Sequence, residues 1–207
     1  MLPVPAGSVA IILEGEHARR EVRVPHPFWL GKYEVTQEQY KAVTGDNPSQ
    51  NKGDNLPVEN LRWEDAVEFC RRLTEQERER GNLPEGYVYG LPTEDEWLFA
   101  ATAGGDDKNA KGWDAKNSAG RTHAVGTQPP NAWGFYDMAG NVGEMCADNA
   151  VGNLSPGAPL RPLDTHDRIV RGSTINTRAQ SSLHRDAISK NEANPATGFR
   201  LALRRIS

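Results

Sequence analysis

The stretch from Asp137 to Glu144, DMAGNVGE, sets two carboxylates seven residues apart around glycines. Hard cations such as calcium take carboxylate and backbone carbonyl oxygens together, and a loop of this composition can turn both inward. The same residues have a purely local use, because Asp and Asn in glycine-rich loops commonly close side-chain turns on their own backbone. Cys70 and Cys146 are the whole cysteine complement, which excludes a four-thiolate metal site and a disulfide framework and suits two buried, inert thiols. Asp164, His166 and Asp167 could ligate a metal, although a polar turn ahead of a strand uses the same residue types. His184 and Arg185 could serve as base and anion clamp, but no nucleophile stands near them, and a hydrogen-bonding role is the expectation.

The elements that must position these groups are short. A 37% hydrophobic content with 20 Gly and 14 Pro in 207 residues implies many turns joining irregular pieces, in a chain of single-domain length. Thr36 and Gln39 form a capping pair that starts a helix near Gln37, ending before the Gly45–Pro48 turn. Trp63, Ala66, Val67, Cys70 and Leu73 recur at helical spacing in WEDAVEFCRRLTEQERERG, with Gly81 as terminator. Thr93 and Glu96 repeat the capping pattern ahead of a helix that buries Trp97, Ala100 and Ala101 and stops at Gly104-Gly105. Strands are expected in EVRVPHPFWL, RIVRG and GFRLALRR, and residues 106–163 read as mostly ordered loop. Trp29, Trp63, Trp97 and Trp133 read as framework aromatics, and Arg171 and Arg200 as partners of loop carbonyls or buried acids.

Charge is unevenly distributed: residues 1–160 carry 15 basic and 24 acidic side chains, residues 161–207 nine and four. The basic residues are spaced and bracket strands, so a structural role is expected and no nucleic-acid partner. No run approaches the roughly 18 apolar residues of a membrane span, and the start lacks the pattern of a signal peptide. A cytoplasmic location without membrane insertion follows by default, with surface display through a partner as the other route.

Several phrases taken together resemble the formylglycine-generating enzyme, or sulfatase-modifying factor, domain family: GKYEVTQEQYKAV, NLPVENLRWEDAVEFCRRL, LPTEDEWLFAATAGG, PNAWGFYDMAGNVGEMCAD, RIVRGS and GFRLAL. They run in order over nearly the whole chain. The resemblance implies an α+β, C-type-lectin-like fold over residues 1–207. It also implies a structural calcium held by Asp137, the carbonyls of Gly140 and Val142, and the Glu144 carboxylate. A second calcium site in the family begins at positions matching Asn117 and Ser118, and the stretch holding its later ligands is shortened here to RTHAVGTQPP.

Two departures bear on function. The family's oxidases use two cysteines in the C-terminal segment that hold copper, whereas residues 168–205 contain none. Soft thiolates bind Cu(I) in such a site, and neither Ser181 nor His184 replaces them, so no copper and no enzyme activity are expected. Family members also commonly read GNVWEW and RGGSW where this chain has GNVGEM and RGSTI.

What remains is a polar segment between two strands. Thr174, Asn176, Arg178, Gln180, Ser181, Ser182, His184, Asp186, Ser189 and Asn191 supply short or polar donors and acceptors. Loops positioned by a rigid scaffold are where recognition concentrates. The chain thereby resembles the variable proteins of diversity-generating retroelements, whose C-terminal segment forms a binding surface. The expectation is a noncatalytic protein that binds a protein or other macromolecular ligand through residues 168–205. A sulfatase-modifying oxidoreductase is the alternative, and a solvated loop without a partner is the plainest reading.

Overall fold

Two of the three helices begin where the sequence places their caps, and the third starts at Trp63, the first of its periodic residues. In the computed structural model, which describes residues 1–12, 19–105, 111–150, 166–178 and 181–206, α1 spans Gln37–Thr44, α2 Trp63–Glu79 and α3 Glu94–Ala101. Thr36 Oγ1 accepts from the Gln39 N–H while the Gln39 side chain accepts from the Thr36 N–H, and Thr93 and Glu96 repeat the exchange at α3. Each box satisfies two amide groups that a helix start otherwise leaves bare. Gly45, at φ 84°, closes α1 with a left-handed cap, the conformation a glycine adopts without a Cβ clash. Along α2 the buried face is Ala66, Phe69, Cys70 and Thr74. Val67, expected inside, is 39% exposed and lies on the rim of a surface groove instead.

Ten strands build three sheets among the described residues. The first has the order β1 (Leu2–Val4), β4 (Phe28–Leu30), β10 (Ala202–Arg205) and β5 (Tyr87–Gly90), all antiparallel. Leu30 faces both Leu2 and Ala202, so the two ends of the chain flank one strand. Strands β2 (Gly7–Ile12) and β3 (Arg19–Val24) form a hairpin. The third sheet has the order β8 (Arg185–Ser189), β7 (Asp167–Arg171), β6 (Gly143–Asn149) and β9 (Thr197–Gly198), with β6 and β9 parallel.

Several of these strands depart from the sequence expectation, which placed none at β1, β2 or β5. β6 lies inside the span read as loop; its first four residues are all buried, so no in-out alternation marks it. β8 lies inside the polar segment, where its pairing with β7 and not its own composition makes it a strand. The GFRLAL strand divides into β9 and β10, with Arg200 fully buried between them. Residues 151–165, including Asp164, lie outside the described residues.

Two apolar clusters fill the interior. One gathers Phe28, Trp97, Phe99, Phe135 and Ile169 between the first sheet, the hairpin and α3. The other packs Tyr40 against Phe69 with ring centroids 5.3 Å apart and sets Phe199 edge-on to Phe69 at 5.4 Å. Trp97 is fully buried, whereas Trp29 is 37% exposed on the first sheet and meets Tyr87 edge-on.

Candidate functional site

The third sheet and the turn after β7 enclose a cavity of about 490 Å³. Its walls are Val170, Gly172, Thr174, Asn176, Thr177, Arg178, His184, Asp186, Ala187, Ile188, Asn194, Ala196 and Thr197, all from the C-terminal 38 residues. Five residues expected to bind ligand are therefore brought together: Thr174, Asn176, Arg178, His184 and Asp186. Ser189 and Asn191 stand outside the cavity, and Gln180 lies outside the described residues. Ser182 is buried, and Ser181 is used internally: its N–H donates to Ser173 Oγ at 2.9 Å and its carbonyl accepts from the Ser173 N–H. The apolar floor of Val170, Ile188 and Ala196 escaped the sequence reading because that reading collected polar side chains only.

Hydrogen bonds fix the rim. Thr174 Oγ1 accepts from the Asn176 N–H, and Thr177 Oγ1 accepts from the Thr174 N–H, making a turn held by its own hydroxyls. That turn is tied to the rest of the fold by the Ile175 N–H donating to the Asn141 carbonyl and by Ser118 Oγ donating to the Ile175 carbonyl. Ser118 and Asn117, the start of the family's second calcium site, have protein partners here. The Asn117 side chain bridges the Asp114 N–H and the Gly112 carbonyl, and His123 Nε2 lies 2.9 Å from the Ser118 carbonyl.

Beneath the β7–β8 pair, three arginines converge on one acid. Glu94, at the first position of α3, accepts from Arg171 and from Arg185 Nε (2.6 Å) through Oε1, and from Arg20 Nη1 (3.2 Å) through Oε2. Arg171 lies on β7 and Arg185 on β8, so a single carboxylate braces both strands that carry the cavity. Burial opposes ionisation of Glu94, yet Arg171, Arg185 and Arg20 outweigh it and hold the carboxyl at about 2. Helix-start position adds to this, since the α3 N-terminus favours negative charge. Arg171 also donates to the Leu183 carbonyl, fulfilling the role its sequence context suggested.

The Asp137–Glu144 loop is a second buried charge centre. Both Glu144 oxygens accept from Arg200, through Nε and Nη2 at 2.5 Å each, and Oε2 also accepts from the Trp97 indole at 2.7 Å. Arg200 in addition donates to the Gly31 and Tyr136 carbonyls. Asp137 and Asn141 hold left-handed backbone, φ 61° and 71°, which short side chains of this type tolerate. Asp137 Oδ2 accepts from the Gly126 N–H, while Oδ1 is buried without a hydrogen-bond partner. Glu34, which the sequence reading missed, caps the same loop by accepting from the Val142 N–H and the Asn141 side chain. Burial pushes the Asp137 carboxyl up to about 6, and burial together with Asp137 and Glu144 pushes Glu34 well above the usual carboxylate range.

Asp137 Oδ1, buried beside the Arg200 guanidinium and left without a hydrogen-bond partner, is an oxygen that fits a cation. Among the described residues no three His, Cys, Asp or Glu side chains gather closely enough to hold a metal alone, so backbone carbonyls would have to complete its shell. Glu144, expected as a ligand, accepts three hydrogen bonds from Arg200 and Trp97.

Both thiols are buried. Burial pushes Cys70 up to about 12 and raises Cys146 well above the ordinary thiol range. Neither lines the cavity.

Short helices, small sheets and long ordered loops built around a frame of buried ion pairs define this as an α+β protein of the C-type-lectin-like, formylglycine-generating-enzyme type. The chain belongs to the sulfatase-modifying factor enzyme 1-like domain family, whose profile matches residues 1–205. Treponema denticola variable protein 1 superimposes with a TM-score of 0.82 at 27% identity, over 99% of this chain and 94% of that one. The likeness to variable proteins read from the sequence thus extends to three dimensions. The chaperone protein LppX of Paenibacillus barcinonensis is 33% identical over 58% of this chain and 61% of its own length. A formylglycine-generating enzyme of Thermomonospora curvata is 29% identical over 59% of this chain and 42% of its own length. The chain thus spans less than two thirds of these curated relatives. Among the described residues no helix is long and apolar enough to cross a membrane.

Proposed function

We propose that this protein is a noncatalytic binder of a macromolecular ligand, most simply a protein, in the manner of the variable proteins of diversity-generating retroelements. The cavity walled by the C-terminal segment is its recognition surface. The observation that carries this reading is the division of labour in the fold. Buried arginine–carboxylate pairs and two apolar clusters hold the frame, while Asn176, Arg178, His184 and Asp186 meet at a rim whose backbone is fixed independently of them. Such a rim can change its side chains without unfolding what lies beneath. The absence of cysteine from residues 168–205 and the burial of both thiols support a role in binding over oxidation. A calcium at Asp137, with the carbonyls of Gly140 and Val142, would stiffen the loop that supports this surface. The protein is expected to work without copper.

The test is a protein-array screen comparing the chain with a variant carrying alanine at positions 176, 178, 184 and 186. Specific partners lost in a variant of unchanged melting temperature support the reading, and partners retained at equal affinity sink it. Formylglycine production on a sulfatase-type peptide with added copper, abolished by Cys146→Ser, would establish the oxidoreductase instead.

A further inference from the structure

One face of the third sheet forms the cavity floor. In the β7–β8 register Val170 faces Asp186 and Arg168 faces Ile188, so these four side chains share that face. Gly143 on β6 continues it. A Cβ built at Gly143 would stand 2.7 Å from Val170 Cγ1 and 3.3 Å from Thr174 Cγ2, both groups that wall the cavity, and its φ is not left-handed. Any side chain at 143 must therefore push those two methyl groups into the cavity or enter it.

We infer that this cavity is an anchor pocket for one aromatic side chain of a protein partner, a tyrosine or tryptophan, and that Gly143 sets its depth. The inference rests on the recognition surface proposed above and names the chemistry it selects. At about 490 Å³ the space lies in the range of pockets that enclose a ligand group. Val170 and Ile188, diagonal neighbours across the β7–β8 pair, put β-branched methyl groups at its bottom, where the edge of a ring can meet them. Asp186 rises beside them on the same face, and it spends one carboxylate oxygen on its neighbour, the Ala187 N–H. A ring with an O–H or N–H at its edge can lie on the floor and donate to Asp186; an aliphatic side chain fills the floor without that bond. Tyrosine and tryptophan combine both properties and dominate the energetics of protein interfaces when they enter such pockets.

The probes are N-acetyl-L-tyrosinamide and N-acetyl-L-tryptophanamide, titrated at millimolar concentration into the full chain with amide chemical shifts followed by NMR. Expected are saturable shifts at Val170, Ala187 and Ile188, binding at least fivefold tighter than N-acetyl-L-leucinamide, and a tenfold loss in Gly143→Trp, whose own indole takes the floor. If that variant fails to fold, Ile188→Phe narrows the floor from β8 and must weaken the probes to a similar degree. Leucinamide binding as tightly, shifts centred elsewhere, or probe affinity unchanged in a folded floor variant would each overturn the inference. Should the aromatic probes fail while the alanine rim variant still loses its array partner, the recognition surface stands and the anchor falls. Should the rim variant keep its partner, both fall.

Discussion

Replacing Glu94 by glutamine removes a carboxylate that Arg171, Arg185 and Arg20 share. Glu94 is 6% exposed, Arg171 fully buried and Arg185 nearly so; the substitution puts a neutral amide where two buried guanidinium groups now meet a charge. Breaking a buried ion pair from one side costs about 3–5 kcal/mol, because the surviving charge remains desolvated. For a chain of this length that corresponds to a fall in melting temperature of roughly 6–20 °C. The carboxyl also supplies a pH signature. Its folded value of about 2 lies below the unfolded 4.5, so its stabilisation is fully present above pH 4.5 and is lost as pH falls through 2. That difference is worth about 3 kcal/mol. Urea denaturation followed by tryptophan fluorescence at pH 7, and at steps between pH 2.5 and 5, measures both. The wild type should lose about 2.5 kcal/mol between pH 5 and 2.5, and Glu94→Gln should lose none of that component. A loss at pH 7 smaller than about 1 kcal/mol, with the acid slope intact, would refute the account of Glu94 as the brace of β7 and β8.

Three other outcomes are expected. Calcium at a hundredfold excess over its dissociation constant should stabilise the chain by about 2.7 kcal/mol, an effect reversed by chelator and absent in Asp137→Asn, as differential scanning calorimetry would read. Without the cation, Asp137 works in the opposite sense to Glu94. Its folded value of about 6 exceeds the unfolded 3.8, so the native state loses stability as pH rises through that window, and the calcium effect should grow above pH 6. Arg200→Met should cost about 3–5 kcal/mol by stranding Glu144, and adding Glu144→Gln should restore at least half of that loss, measured by a double-mutant cycle in urea. Thr93→Ala should cost about 1 kcal/mol through loss of the α3 cap, with no change in the cavity's amide shifts beyond its own helix.

The helix starts were legible because their causes are local: a threonine and a glutamine or glutamate three residues apart satisfy each other's backbone whatever surrounds them. The resemblance of whole phrases carried the fold class for the same kind of reason, since those phrases encode turns and caps in a fixed order. Five of the ten residues expected to bind ligand reached the cavity because a polar segment between two anchored strands must surface somewhere near them. Its floor was not legible. Val170 and Gly143 are far apart in sequence, and only the pairing of β6 with β7 brings them together.

Sequence alone determined where helices start, that the C-terminal segment holds no thiol, and that Arg171 and Arg200 would be structural. Tertiary structure decided which acids they meet. Glu94 and Glu144 lie 77 and 56 residues from their arginines, and a buried charge selects its partner by proximity in the folded interior, where desolvation makes pairing obligatory. That distance in the chain leaves no local pattern to read, and it is why the loop marked out for a cation had already given one of its carboxylates to Arg200.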